Sequence, residues 1–142
     1  MTHIRGFKPV FITIGVIYTL LASSMLVRGP TVLLDFSVPQ RTVSDPILQD
    51  FFTFFYLLMA FVGVLTVLFG HVTRERRTQL TAAGVFFVWN IVTALRDLST
   101  SDCQLGSRLY KGEGTVVLVF ISVAQALAFG ALVLQGLRSR PT

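Results

Sequence analysis

The sequence predicts an all-α integral membrane protein: a four-transmembrane-helix bundle, N-in/C-in, with two long outer loops. Three observations predict it. The chain has 142 residues, of which 53% are hydrophobic and 13% charged, and its mean hydropathy of +0.71 lies outside ordinary soluble composition, so the apolar excess must face lipid. The apolar residues sit in four long blocks rather than in short alternating segments, which favours helices over an outer-membrane barrel. The basic residues gather at the ends of those blocks, where they read as topology signals and not as a nucleic-acid-binding stripe.

Stretches without a charge run from Pro9 to Val27, Phe51 to Thr73, Thr78 to Leu95 and Gly114 to Leu137. Each approaches the ~20 residues that an α-helix rising 1.5 Å per residue needs to cross roughly 30 Å of hydrocarbon. Local punctuation places the helices at about 9–27, 46–72, 79–97 and 114–137 within one domain. Pro9 suits the first turn of the first helix, and Ser44 or Asp45 can cap the second with Pro46 at its first position. Thr78 is the expected cap of the third, and the Gly112-Glu113-Gly114-Thr115 turn leads into the fourth. No repeat relates the first helix pair to the second. The first apolar block lacks a small-x-small site directly after it, so it reads as a retained span and not as a signal peptide.

With both termini cytoplasmic, Arg5, Lys8, Arg74, Arg76, Arg77, Arg138 and Arg140 lie inside with only Glu75 opposing them, a formal +6. The other side receives Arg28, Arg41, Arg96, Arg108 and Lys111 against Asp35, Asp45, Asp50, Asp97, Asp102 and Glu113, a formal −1. Lys and Arg bias sets orientation, so this places a multi-pass chain in the cell (inner or plasma) membrane. The outer connections, Arg28–Asp50 and Arg96–Glu113, are long and the inner one is a tight turn, so loop function belongs outside. Within the first, Thr31–Phe36, between Pro30 and Pro39, either packs over the mouth of the bundle or dips into the interface.

Chemistry-bearing motifs are sparse. His3 and His71 are the only histidines and share no metal-ligand spacing, so no metal or cofactor is expected. Cys103 is the only cysteine, which rules out an intrachain disulfide and reads as an ordinary loop residue. The chain contains no phosphate-cradling glycine loop and no GxSxG elbow.

What remains is polarity at membrane depth. Tyr18, Tyr56, Asn90 and Gln125 fall in the middle or outer half of the membrane, where a polar group needs a partner. Asn90, Thr93 and Asp97 share one helix face that climbs towards the outer mouth. There Arg28, Asp50, Arg96 and Asp97 end their spans at one level, either as boundary anchors or as the rim of a site. On the second reading Asp50 and Asp97 are the catalytic candidates for acid or base work, of isomerase or cyclase type. Arg28, Tyr18, Tyr56, Trp89, Asn90, Arg96 and Gln125 are then the candidate ligand-binding residues.

Two compositional features shape the partners. Ala126 and Gly130, with Gly15, Gly63 and Ala82-Ala83-Gly84, let backbones approach closely, within the bundle or at an oligomer seam. The phenylalanines at 51, 52, 54 and 55 and at 86 and 87 read as lipid anchors ahead of an aromatic-lined pocket. The first functional expectation is therefore a bundle that binds, and in one version transforms, a lipophilic small molecule or membrane lipid in an outward-opening pocket. The alternatives are an accessory or assembly subunit held to a membrane partner protein, and a homo-oligomeric channel or transporter. Nucleic acid is not an expected partner.

Overall fold

The computed structural model describes residues 4–100 and 113–138. Cys103, His3 and the charges Asp102, Arg108, Lys111 and Arg140 lie outside the described residues, as does the connection from 101 to 112. The described chain is helical throughout its ordered elements. They are α1 (Phe7–Arg28), a 3-10 turn (Pro30–Phe36), α2 (Gln40–Val43), α3 (Pro46–Val72), α4 (Arg76–Thr100) and α5 (Glu113–Arg138). Helices α1, α3, α4 and α5 are each long and apolar enough to cross a membrane.

Local chemistry accounts for the helix ends. Gly6 adopts a left-handed conformation (φ 81°) ahead of α1, an angle that costs glycine nothing. Asp45 caps α3 by accepting from the Ile47 amide at 2.8 Å, with Pro46 at the first position, where its missing N–H would have had no helical partner. Helix α4 begins at Arg76, ahead of the expected cap at Thr78. The Thr78 hydroxyl instead donates to Glu75 Oε2 at 2.9 Å, while the Glu75 carbonyl accepts from the Gln79 amide. The helix also runs on to Thr100, about one turn past Asp97.

The four spans assemble as two pairs, α1 on α3 and α4 on α5. In the first pair the backbones nearly touch: a Cβ placed on Gly15 would lie 2.6 Å from the Gly63 carbonyl oxygen, and one on Gly63 would lie 2.8 Å from the Gly15 carbonyl oxygen. In lipid, where apolar surface gains nothing by leaving solvent, such proximity supplies the dispersion contact that holds helices together. In the second pair Phe87 covers Gly130 and Leu80 covers Gly136.

Helix α1 carries both interfaces on adjacent stripes that meet at Phe11, which also borders Gly70 of α3. Gly15 and its neighbours face α3, whereas Phe7, Phe11 and Ile14 lie in the core cluster that also contains Ala83, Phe129 and Leu132 of α4 and α5. The rings of Phe7 and Phe11 stack at 4.1 Å, and Phe11 meets Phe86 and Phe129 edge-on at 5.2 Å each. Small residues thus close the distance within a pair, and aromatic rings fill the wider gap between pairs.

Polar ties secure the end of the bundle that carries the termini. The Ile4 amide donates to Gln79 Oε1 at 3.0 Å, and Gln79 Nε2 donates to the Thr73 carbonyl at 3.0 Å. Arg76 Nη2 donates to the Gly136 carbonyl, in the last turn of α5, where the helix dipole favours a cation. At the opposite end the 3-10 turn packs against α1, α3 and α5 and buries Val32.

Candidate functional site

Two polar clusters are built on the inward stripe of α4, one within the α4–α5 pair and one that also reaches α1 of the other pair. Its buried residues include Ala83, Asn90 and Asp97, seven apart, so one face turns inward along the whole span. Two of those three positions are polar. Asn90 is 1% exposed and Asp97 8% exposed, at positions where an aliphatic residue would pack without needing a partner.

The deeper cluster joins three helices. The Tyr18 hydroxyl of α1 donates to Gln125 Oε1 of α5 at 2.6 Å, an O–H···O distance. The same hydroxyl lies 3.4 Å from Asn90 Oδ1 of α4. Asn90 Nδ2 donates to the Phe86 carbonyl one turn earlier at 2.8 Å, which fixes the amide with its oxygen towards Tyr18. A phenol has one proton to give. Gln125 receives it, so the Asn90 oxygen holds the weaker limb, and Gln125 Nε2 donates to no other described residue. The cluster therefore sets two amide oxygens, those of Asn90 and Gln125, against a single phenol proton.

The second cluster lies two turns along α4. Asp97 Oδ2 accepts from the Ser122 hydroxyl of α5 at 2.8 Å, and Oδ1 accepts from Arg96 Nη1 at 3.1 Å. The Arg96 side chain is 61% exposed, so it reaches the carboxylate from the surface of the bundle. Ser122 and Gln125 are three apart on α5 and both buried, which puts the two clusters on one continuous polar seam between α4 and α5.

The remaining candidates stand apart from this seam. Arg28 pairs with Asp35 of the 3-10 turn at 2.7 Å, with both side chains more than half exposed, so it closes a local loop contact and, among the described residues, meets no carboxylate of another span. Asp50 is exposed on the first turns of α3. The Tyr56 ring meets those of its own helix, Phe52 tilted at 4.6 Å and Phe55 edge-on at 5.2 Å. Trp89 is 62% exposed on the outer face of α4. The structure thus brings Tyr18, Asn90 and Gln125 together, and Arg96 with Asp97, and leaves Arg28, Asp50, Tyr56 and Trp89 outside that grouping.

Comparison with known proteins adds nothing to this geometry: no protein-family model, no curated protein and no solved structure matches the chain. Its seam must be read from its own residues.

Sequence reasoning missed Ser122 as a polar partner, because it occurs among the small residues of α5 and reads there as packing. The signal was present in the three-residue spacing to Gln125, which puts both on one face of α5 as the seven-residue spacing puts Asn90 and Asp97 on one face of α4. Gln79 was missed for another reason. It stands beside Thr78 at a helix start, where glutamine is ordinary, and only the approach of Ile4 gives it a role.

Proposed function

We propose that this chain is a multi-pass protein of the cell (inner or plasma) membrane that binds a lipophilic small molecule or lipid between its two helix pairs, through an outward-opening site. The single observation that supports this is the uneven hydrogen-bond inventory of the Tyr18, Asn90 and Gln125 cluster. A purely structural polar cluster in hydrocarbon gains most when every donor and acceptor is matched. One that holds an under-served amide oxygen next to an amide N–H complements a ligand hydroxyl or carbonyl on an otherwise apolar body. Asp97, held by Ser122 and Arg96, stands two turns nearer the α4 end and supplies acid or base chemistry in the version that transforms the ligand. Asp50 is the second carboxylate of that version.

Gentle solubilisation followed by mass spectrometry of the extracted lipids and metabolites tests the reading. We expect one lipophilic species to copurify with the wild-type chain, and to fall at least tenfold in Asn90→Ala and Asp97→Asn while the protein remains monodisperse. Equal recovery of every species from wild type and variants would remove the proposal.

Both termini are cytoplasmic in this reading, supported by the basic residues Arg5, Lys8, Arg74, Arg76, Arg77 and Arg138 at the end that carries the connection 73–75. In a Cys103→Ser background, Glu75→Cys should be shielded from an impermeant maleimide in intact cells and Ser37→Cys labelled. The reverse pattern would invert the topology. The subunit alternative is favoured by one observation. Gly84 of α4 faces open space beside exposed Val85, Val88 and Trp89, which leaves a notch for a helix of a partner. Copurification of a stoichiometric protein in place of a lipophilic ligand would select it.

A further inference from the structure

Helices α3 and α4 are consecutive and joined by only three residues, Thr73–Glu75, yet α3 packs on α1 and α4 on α5. Two antiparallel helices on so short a connection ordinarily pack along each other. Here they diverge from the connection, and the space at its apex is a groove of about 380 Å³, within the size range of small-molecule sites. Its floor is Leu65, Leu68, Phe69 and Val72 of α3, and its rim is Thr73, Arg74, Glu75 and Thr78. The four apolar side chains are exposed in the bundle, and α3 is a membrane span.

Charge decides the occupant. Arg74 is exposed and forms no ion pair or hydrogen bond with any described residue. Its neighbour Glu75 is turned to the Thr78 hydroxyl, which draws the one local carboxylate aside. Arg76, which follows, is turned to the Gly136 carbonyl of α5 and Arg77 is exposed at the same end, so Arg74 is the cation on the rim and residues 74–77 together carry a formal +2 above the apolar trough. We infer that this groove binds one anionic glycerophospholipid, with an acyl chain along Leu65, Leu68, Phe69 and Val72 and the headgroup phosphate against Arg74. An acyl chain satisfies the floor, the headgroup phosphate satisfies Arg74, and the net positive charge of residues 74–77 favours a headgroup without a cation of its own. The site lies at the opposite end of α3 from Asp50 and is separate from the Tyr18, Asn90 and Gln125 cluster, so it does not depend on the function proposed above.

Native mass spectrometry of the full chain, in micelles with equimolar phosphatidylglycerol and phosphatidylcholine of identical acyl chains, tests it. The expected result is a single phosphatidylglycerol adduct at least fivefold above the phosphatidylcholine adduct. Arg74→Gln should bring that ratio close to one. Arg28→Gln, which removes a cation from the opposite end, should leave it unchanged. Millimolar inorganic phosphate should not displace the lipid, because a free anion gains nothing from the apolar floor. Equal retention of both lipids, an unchanged ratio in Arg74→Gln, an equal fall in Arg28→Gln, or displacement by phosphate would each overturn the assignment.

Discussion

Gly15→Leu is expected to abolish the folded protein. A Cβ at this position meets the Gly63 carbonyl oxygen at 2.6 Å and the Val67 amide nitrogen at 2.8 Å. Both are backbone atoms, so no rotamer change relieves the contact, and α1 must move away from α3. Overpacking a core costs about 1–3 kcal/mol when side chains can give way. With backbone on both sides the cost exceeds the upper figure, and the dispersion contacts along the whole α1–α3 crossing are lost with it. The measurement is the monodisperse size-exclusion peak in mild detergent and the temperature at which it disappears. Gly15→Leu should leave little or no such peak, and the milder Gly63→Ala should lower the midpoint sharply. Gly84→Ala is the internal control, since its Cβ enters open space and alanine favours helix over glycine by roughly 1 kcal/mol. A Gly15→Leu protein as stable as wild type would mean that α1 and α3 do not cross at these glycines.

Phe11→Ala should produce the next largest loss. Phe11 is fully buried and its ring is shared by both helix pairs, through Phe7 on its own helix and Phe86 and Phe129 across the interface. In water-soluble cores Phe→Ala costs about 3–5 kcal/mol, part of it the return of apolar surface to water. In lipid that part largely vanishes, because the separated ring is still solvated by hydrocarbon. What remains is the cavity and its lost dispersion, roughly 2–3 kcal/mol at ~24 cal/mol per Å³. The midpoint of the size-exclusion assay should therefore fall clearly while the protein still folds. Phe120→Ala, in which the removed ring is 73% exposed to lipid, should be close to neutral. Equal effects at the two positions would show that the pairs are not joined through this aromatic cluster.

These two predictions separate what each kind of information supplies. Asp45 and Pro46 mark the start of α3 in the sequence, because a cap and a first-turn proline act within a few residues. Thr78 was misleading for the same local reason. Its hydroxyl is a good cap in isolation, but Glu75 is three residues earlier and the helix starts between them. Asn90 and Asp97 could be placed on one face from spacing alone, since the helical period is exact enough over seven residues. Neither Tyr18 nor Gln125 could be assigned to that face, because they come from other helices and their meeting depends on how those helices are rotated. Arg28 shows the same limit, in that its depth was legible but its partner was Asp35, in a 3-10 turn that no periodicity announces.

The four crossings were determined by the sequence itself. Hydrocarbon thickness demands about 20 uncharged residues per span, and backbone amides in lipid have no alternative to the helix. The pairing of α1 with α3 and α4 with α5, and the polar seam between them, were decided only by the tertiary structure. A membrane helix is apolar on every side, so its hydropathy does not mark which face turns inward. The close approach of Gly15 to Gly63 and the reach of Tyr18 to Gln125 exist only once the helices are set side by side.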